Sequence, residues 1–182
     1  MPAYRRTKNL KDILAPSKFR NTPAPSPEPG CFKCLKRCDL CQNFLKEGKQ
    51  ISSFATGRFY SIKQKLSCTS QNVIYLASCL KCRLQYVGST SNPFKVRFRN
   101  HKSDMNRNKK SCELAIHFNQ TPHSLSDFEF SIIESIVNTQ GNTENLLLQR
   151  EAYWTAQLHS LQPFGLNKRC EFRSSKRIHF TS

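Results

Sequence analysis

Two short apolar runs constrain this chain more than any other feature. Residues 73–78 and 84–87 are rich in β-branched, aromatic and aliphatic side chains, and turn-length chain containing Cys79 and Cys82 separates them. Runs of this kind read as strands, and so close a pair can only form an antiparallel hairpin. Gly88 is expected to end the second strand. Asn92-Pro93 follows as a helix start, with Asn92 as the cap and Pro93 in the first turn, on a helix to about residue 104. A second short helix is expected over 111–118. Residues 128–137 place Phe128, Phe130 and Ile132 on one face and read as a third strand. Asn142 or Thr143 then caps a longer helix to about Leu158, closed off by Pro163 and Gly165. The fold class is α/β (α+β): a small three-stranded antiparallel sheet flanked by helices.

The preceding part reads differently. Residues 1–30 are basic and then proline-rich, which suggests a disordered or extended linker with one helical turn near 9–14. Residues 31–70 form a cysteine-rich accessory segment in which Phe54, Phe59, Tyr60 and Ile62 suit a short hairpin. Residues 71–168 make the main domain, and 169–182 a basic tail.

The 182 residues carry 29 Lys and Arg against 12 Asp and Glu, a net charge of +17. Such a balance points to a polyanion, with nucleic acid ahead of a membrane surface. No run approaches the roughly 20 apolar residues of a membrane span. The first thirty residues lack the apolar stretch of a secretory signal. Nine cysteines without such a signal suit metal ligation in a reducing compartment better than a disulfide framework. A nuclear location, or a cytoplasmic one, is expected.

The charge is also patterned. Residues 95–110 hold seven Lys and Arg against one acid, Asp104, whereas 127–151 hold five acids and one Arg, Arg150. The basic run includes Arg97 and His101, four apart on one helix face. Lys95, Arg99, Lys102 and Arg107 beside them are candidate nucleic-acid contacts. Arg97 can hold a phosphate with its permanent planar charge, and His101 can accept or relay a proton. The same pair also fits a plain solvated helix. Glu151 lies among Leu147, Leu148, Trp154 and Leu158, at the edge of an apolar helix face. A carboxylate there needs a partner, either an arginine or a hard divalent cation such as Mg²⁺ or Mn²⁺. Tyr75 and Tyr86 fall on adjacent strands, where packing is the ordinary role of tyrosine. Asn167, after Gly165, suits a turn.

Two cysteine groups have ligand spacing for Zn²⁺. Cys79-x2-Cys82 and His117-x5-His123 could tie the hairpin turn to the segment after the second helix, as a closed structural site. Cys31-x2-Cys34-x3-Cys38-x2-Cys41 could wrap a second ion, although separate pairs with other partners such as Cys68 fit equally. Cys112 and Cys170 read as packing or surface thiols.

Taken together, Val73-Ile74-Tyr75, Tyr86-Val87-Gly88, Arg97, His101, Glu151 and Asn167 resemble in order and spacing the GIY-YIG nucleases. Within these they are most similar to the endonuclease domain of Penelope-like retroelements, which also carry two cysteines between the motifs and two later histidines. The similarity covers residues 73–167, with Val73 standing where the first motif has glycine. It implies that Tyr75 helps activate the attacking water, that Tyr86 shapes the site, and that Arg97 and His101 serve catalysis. It further implies that Glu151 binds the catalytic metal and that Asn167 is the late asparagine of the site. The implied reaction is metal-dependent DNA hydrolysis leaving a 3′ hydroxyl, as in target-site nicking, with RNA a further partner in a retroelement complex. In such an element this chain corresponds to the C-terminal part of a polyprotein. Two other classes share the charge and the cysteines: a zinc-containing nucleic-acid-binding module without catalysis, and a zinc-scaffolded protein-interaction domain.

Overall fold

A computed structural model describes residues 28–34, 38–120, 123–137 and 142–168. The expected helical turn near 9–14, most of the proline-rich linker, Cys170 and the basic tail lie outside the described residues. Among these residues ten strands and α-helices follow in chain order: β1 (Gly30–Phe32), β2 (Gln50–Ser52), β3 (Phe59–Ser61), β4 (Lys65–Ser67), β5 (Val73–Cys79), β6 (Gln85–Thr90), α1 (Phe94–Asn106), α2 (Glu113–Gln120), β7 (Phe128–Ser135) and α3 (Thr143–Leu158). A π-helical turn, Leu40–Phe44, lies between β1 and β2.

The main sheet has three antiparallel strands in the order β6-β5-β7. Every residue of the central strand β5 is buried. Val73, in place of the motif glycine, is fully buried and pairs regularly with Thr90 and Ser135. Strand side chains alternate between faces. Tyr75, Ala77, Tyr86, Phe130 and Ile132 therefore share one face, and α1 packs there through Phe94 and Phe98. The register with β7 shifts between Ile74 and Tyr75, so that Ile133 bulges opposite the motif tyrosine. Such bulges re-aim side chains beside functional sites.

The other face receives α3. Glu134 of β7 accepts hydrogen bonds from Arg150 Nε (2.9 Å), Arg150 Nη2 (2.8 Å) and Trp154 Nε1 (2.7 Å). Asn142 caps α3 as expected, its side-chain oxygen accepting from the amides of Glu144 and Asn145. The far end of α3 is satisfied from outside the sheet. Ser53 Oγ donates to the Leu158 carbonyl and Tyr60 Oη to that of Gln157, both at 2.8 Å. Ser53 follows β2 and Tyr60 lies in β3 of the hairpin expected around Phe54, Phe59, Tyr60 and Ile62.

Two local expectations change. β6 runs through Gly88 to Thr90, because Gly88 is the cross-strand partner of Tyr75. There the missing side chain makes room for the phenol and does not break the strand. The cap of α1 is Pro93, with no side-chain hydrogen bond, not Asn92. The first amides of α1 instead donate to main-chain carbonyls: Phe94 N to Ser70 O (3.0 Å) and Lys95 N to Cys68 O (2.8 Å). Donors that a helix start leaves over are thus taken by the loop after β4.

The core is continuous across residues 31–70 and the main domain. Cys31, Leu40, Leu45, Ile51, Ile62 and Leu66 join β5–β7 in one buried cluster. Lys46 N also donates to Phe130 O at 2.8 Å.

Candidate active site

The Tyr75 ring is fully buried, and its oxygen sits at the centre of a hydrogen-bonded chain. Arg97 Nε donates to Tyr75 Oη at 3.0 Å. Tyr75 Oη lies 2.7 Å from His101 Nε2, and His101 Nδ1 lies 3.7 Å from the Cys112 sulfur. One proton arrangement satisfies all three contacts: the phenol donates to Nε2, and Nδ1–H faces the sulfur. Arg97 and His101 reach one oxygen because they are one turn apart on α1, above the face that carries Tyr75.

Burial controls the protonation of this group. Burial pushes the Tyr75 phenol up to about 12, against the opposing pull of Arg97. Burial, with Arg97 adding to it, drives the His101 imidazole down to about 3. The histidine is therefore neutral across the physiological range and can accept a hydrogen bond at Nε2, while the phenol keeps its proton. The Tyr86 phenol is also pushed up, by burial first and then by the charges of Tyr75 and Glu151.

Glu151 approaches from α3. It is half-buried, and its Oε2 accepts a 2.5 Å hydrogen bond from Ser89 Oγ of β6. Its negative charge acts on both Tyr75 and Tyr86. Ser89 and Arg97 line one cleft of about 360 Å³, together with Asn92, Asn100, Glu144 and Leu147. A half-buried carboxylate bound to Ser89 of that cleft suits a hard divalent cation, which takes one or two carboxylates and completes its shell with water and phosphate oxygens.

Asn167 is buried and fully engaged. Its Oδ1 accepts from Val87 N (2.9 Å) and Ser160 Oγ (2.8 Å), and its Nδ2 donates to Val87 O (2.8 Å). It holds β6 between Tyr86 and Gly88. Of the basic candidates, Lys95, Arg99 and Arg107 are exposed, and Arg107 lies 3.5 Å from Asp104. Lys102 forms a 3.0 Å ion pair with Asp39 and lies over the Phe44 ring.

Ser89, Gly88 and Cys112 had no predicted part in the site. Ser89 follows Val87 on the same strand face, and only the position of α3 makes that matter. A Cβ on Gly88 would lie 2.5 Å from Tyr75 Oη and 2.7 Å from its Cζ. Cys112 lacks a spacing partner in the sequence, and α1–α2 packing alone brings it to His101.

Both cysteine groups converge, one with a changed membership. Ligand atoms of Cys79, Cys82, His117 and His123 all lie within 4.8 Å of one another. Cys82 Sγ is 3.0 Å from His123 Nε2, and the two imidazoles are 4.5 Å apart. His117 Nε2 is buried without a hydrogen-bond partner, as a nitrogen meant for a metal would be. The residues fit Zn²⁺ with a closed donor set. In the second group Cys34, Cys38 and Cys41 gather with Cys68, not Cys31. Cys31 lies inside β1, wholly buried and paired with Leu66, so its side chain belongs to the core.

No curated protein matches the chain. Among solved structures, the catalytic domain of homing endonuclease I-TevI is similar, with 28% identity and a TM-score of 0.43, over 53% of this chain and 97% of that one. A mutant catalytic domain of intron endonuclease I-TevI gives 27% identity and a TM-score of 0.44, over 54% and 94%. The model of the GIY-YIG catalytic domain matches residues 71–167, more than half of the chain, and spans every strand and helix that supplies the cleft. On that match, which contains Tyr75, Arg97 and Glu151, the chain belongs to the GIY-YIG family of nucleases.

Proposed function

We propose that this chain is a metal-dependent DNA endonuclease that nicks DNA to leave a 3′ hydroxyl, and that it derives from a retroelement in which the nick primes reverse transcription. One observation carries the catalytic part: Arg97, Tyr75 and His101 form a single hydrogen-bonded chain beside a cleft shared with Ser89, the partner of Glu151. The retroelement origin is supported by the Cys79, Cys82, His117 and His123 set between and after the motifs. A nuclear site of action accords with the +17 charge and a DNA substrate.

The chemistry follows from the residues. Arg97 spends Nε on Tyr75, and its remaining N–H donors can take a phosphate oxygen at the cleft. Tyr75 can pass its proton to the neutral His101 while its oxygen receives one from the attacking water. Burial is the larger cause of the depressed His101 value and Arg97 the smaller, so phosphate on Arg97 would relieve the smaller part and make the imidazole a somewhat better base. Glu151, fixed by Ser89, would hold Mg²⁺ or Mn²⁺, which would supply charge stabilisation at the phosphate. Tyr86 packs beside His101 and Tyr75 as a wall of the site. Asn167 keeps β6 in register beneath them. Zn²⁺ on Cys79, Cys82, His117 and His123 would pin the β5–β6 turn to α2.

Conversion of supercoiled plasmid with Mg²⁺ or Mn²⁺ tests the proposal, comparing wild type with Glu151→Gln. Nicking by wild type alone, with DNA binding retained in both, is the expected result. DNA binding without cleavage by either protein would overturn it in favour of a binding module.

A further inference from the structure

The amino-terminal cysteines lie outside the matched domain, yet they meet its catalytic helix. Cys34 and Cys38 precede the π-helical turn, Cys41 lies in it, and Cys68 follows β4. Their four sulfurs lie within 4.8 Å of one another. Tetrahedral zinc with bonds of about 2.3 Å places its sulfurs about 3.8 Å apart, so small side-chain movements complete the site. Cys34 N already donates to Cys41 Sγ at 3.4 Å. The equivalent amide-to-sulfur contact occurs in the other group, from Cys82 N to Cys79 Sγ, also at 3.4 Å.

This cluster touches α1 on two sides. The carbonyl of Cys68 accepts the Lys95 amide, and that of Ser70 the Phe94 amide. Asp39, between the ligands Cys38 and Cys41, pairs with Lys102. Phe44, at the end of the same turn, stacks on Phe98 at 5.1 Å. Both segments that the four thiols would join therefore hold the helix that carries Arg97 and His101. α1 has no side-chain cap of its own.

We infer that Cys34, Cys38, Cys41 and Cys68 bind a second, tetrathiolate Zn²⁺ that clamps the amino-terminal segment to the start of α1 and so fixes the catalytic arginine. The ion is a positioning element with no open coordination position, and residues 34–68 act as part of the nuclease through it.

Metal analysis of the purified full chain tests this directly. Two zinc ions per chain are expected, with Cys38→Ser retaining one and Cys31→Ala retaining both. Cobalt substitution gives a second readout, because thiolate-to-cobalt charge transfer should fall by about two thirds when a four-sulfur site is lost beside a two-sulfur one. Hydrogen exchange reads the clamp: the Phe94 and Lys95 amides should lose protection in Cys38→Ser while α3 keeps its own. Loss of one zinc with unchanged exchange at Phe94 and Lys95 would overturn the clamp. A single ion in wild type that Cys82→Ser removes would overturn the second site. A single ion that Cys38→Ser removes and Cys82→Ser leaves would support this site and instead count against zinc at the histidine-containing group. If Cys38→Ser does not fold, the wild-type zinc count and cobalt spectrum still decide.

Discussion

Replacing Gly88 with alanine presses on both motif phenols, Tyr75 most and Tyr86 at 2.8 Å. The added Cβ would stand 2.5 Å from Tyr75 Oη and 2.7 Å from Cζ. Ordinary contacts need about 3.5 Å, so the ring must retreat by about 1 Å. The backbone at Gly88 is regular strand, so the conflict is steric alone. Tyr75 is 0% exposed, so its ring cannot swing into solvent. Its oxygen sits 3.0 Å from Arg97 and 2.7 Å from His101, and a 1 Å move breaks at least one of these bonds. Overpacking of this kind costs about 1–3 kcal/mol of stability. A 1 Å misplacement at a reacting centre costs on the order of 100-fold in rate. Single-turnover nicking and urea unfolding measure the two effects separately. In a Tyr75→Phe background the nearest clash, with Oη, is gone while those with the ring carbon and with Tyr86 remain, so alanine at 88 should cost less further rate than in wild type. A Gly88→Ala enzyme within about threefold of the wild-type rate, at unchanged stability, would refute the reasoning.

Ser89→Ala removes the donor that fixes Glu151 and should slow nicking about tenfold at saturating metal, with a raised metal requirement; an unchanged metal titration would exclude that role. His101 supplies a pH prediction. Its folded value of about 3 lies below the ordinary 6.5, so between these values the unfolded chain binds the extra proton. Its contribution to stability is complete above pH 6.5 and is lost as the pH falls, with a slope approaching 1.4 kcal/mol per unit, about one proton. His101→Gln should flatten the pH dependence of the urea midpoint between about pH 6.5 and 4.5, and an equal slope in both proteins would contradict it. Cys82→Ser should lower bound zinc and thermal stability together, and an unchanged metal content would remove Cys82 from the ligand set.

The sequence carried the sheet and the helices because they write their periods into it. Residues 73–78 and 84–87 declare a hairpin, and Asn142 declares the start of α3. Helical four-spacing, a local rule, put Arg97 and His101 on one face, whereas Tyr75 was singled out only by its resemblance to the family motif. The changes came where tertiary packing overrides local signals. Gly88 looked like a strand terminus until its cross-strand partner proved to be a buried phenol. Asn92 looked like a cap until the loop at 68–70 supplied carbonyls in its place. Cys31 has the ligand spacing, but strand pairing with Leu66 draws it into the core and leaves its place to Cys68, far along the chain. Ser89 and Cys112 became legible only once α3 and α2 were docked.

The two hydroxyls that finish α3 come from Ser53 and Tyr60, yet the family match begins at residue 71. Gln85 of β6 is bound to the same hairpin, accepting from Phe54 N and donating to Ser52 O. The segment that evolution recognises as a nuclease is therefore shorter than the segment that closes its own hydrogen bonds. A gene fusion or recombination event that moved residues 71–167 alone would deliver the matched domain with the end of the Glu151 helix frayed. Transfer of this domain between proteins must carry the hairpin along as baggage, or find a new host surface offering two hydroxyls at the same place.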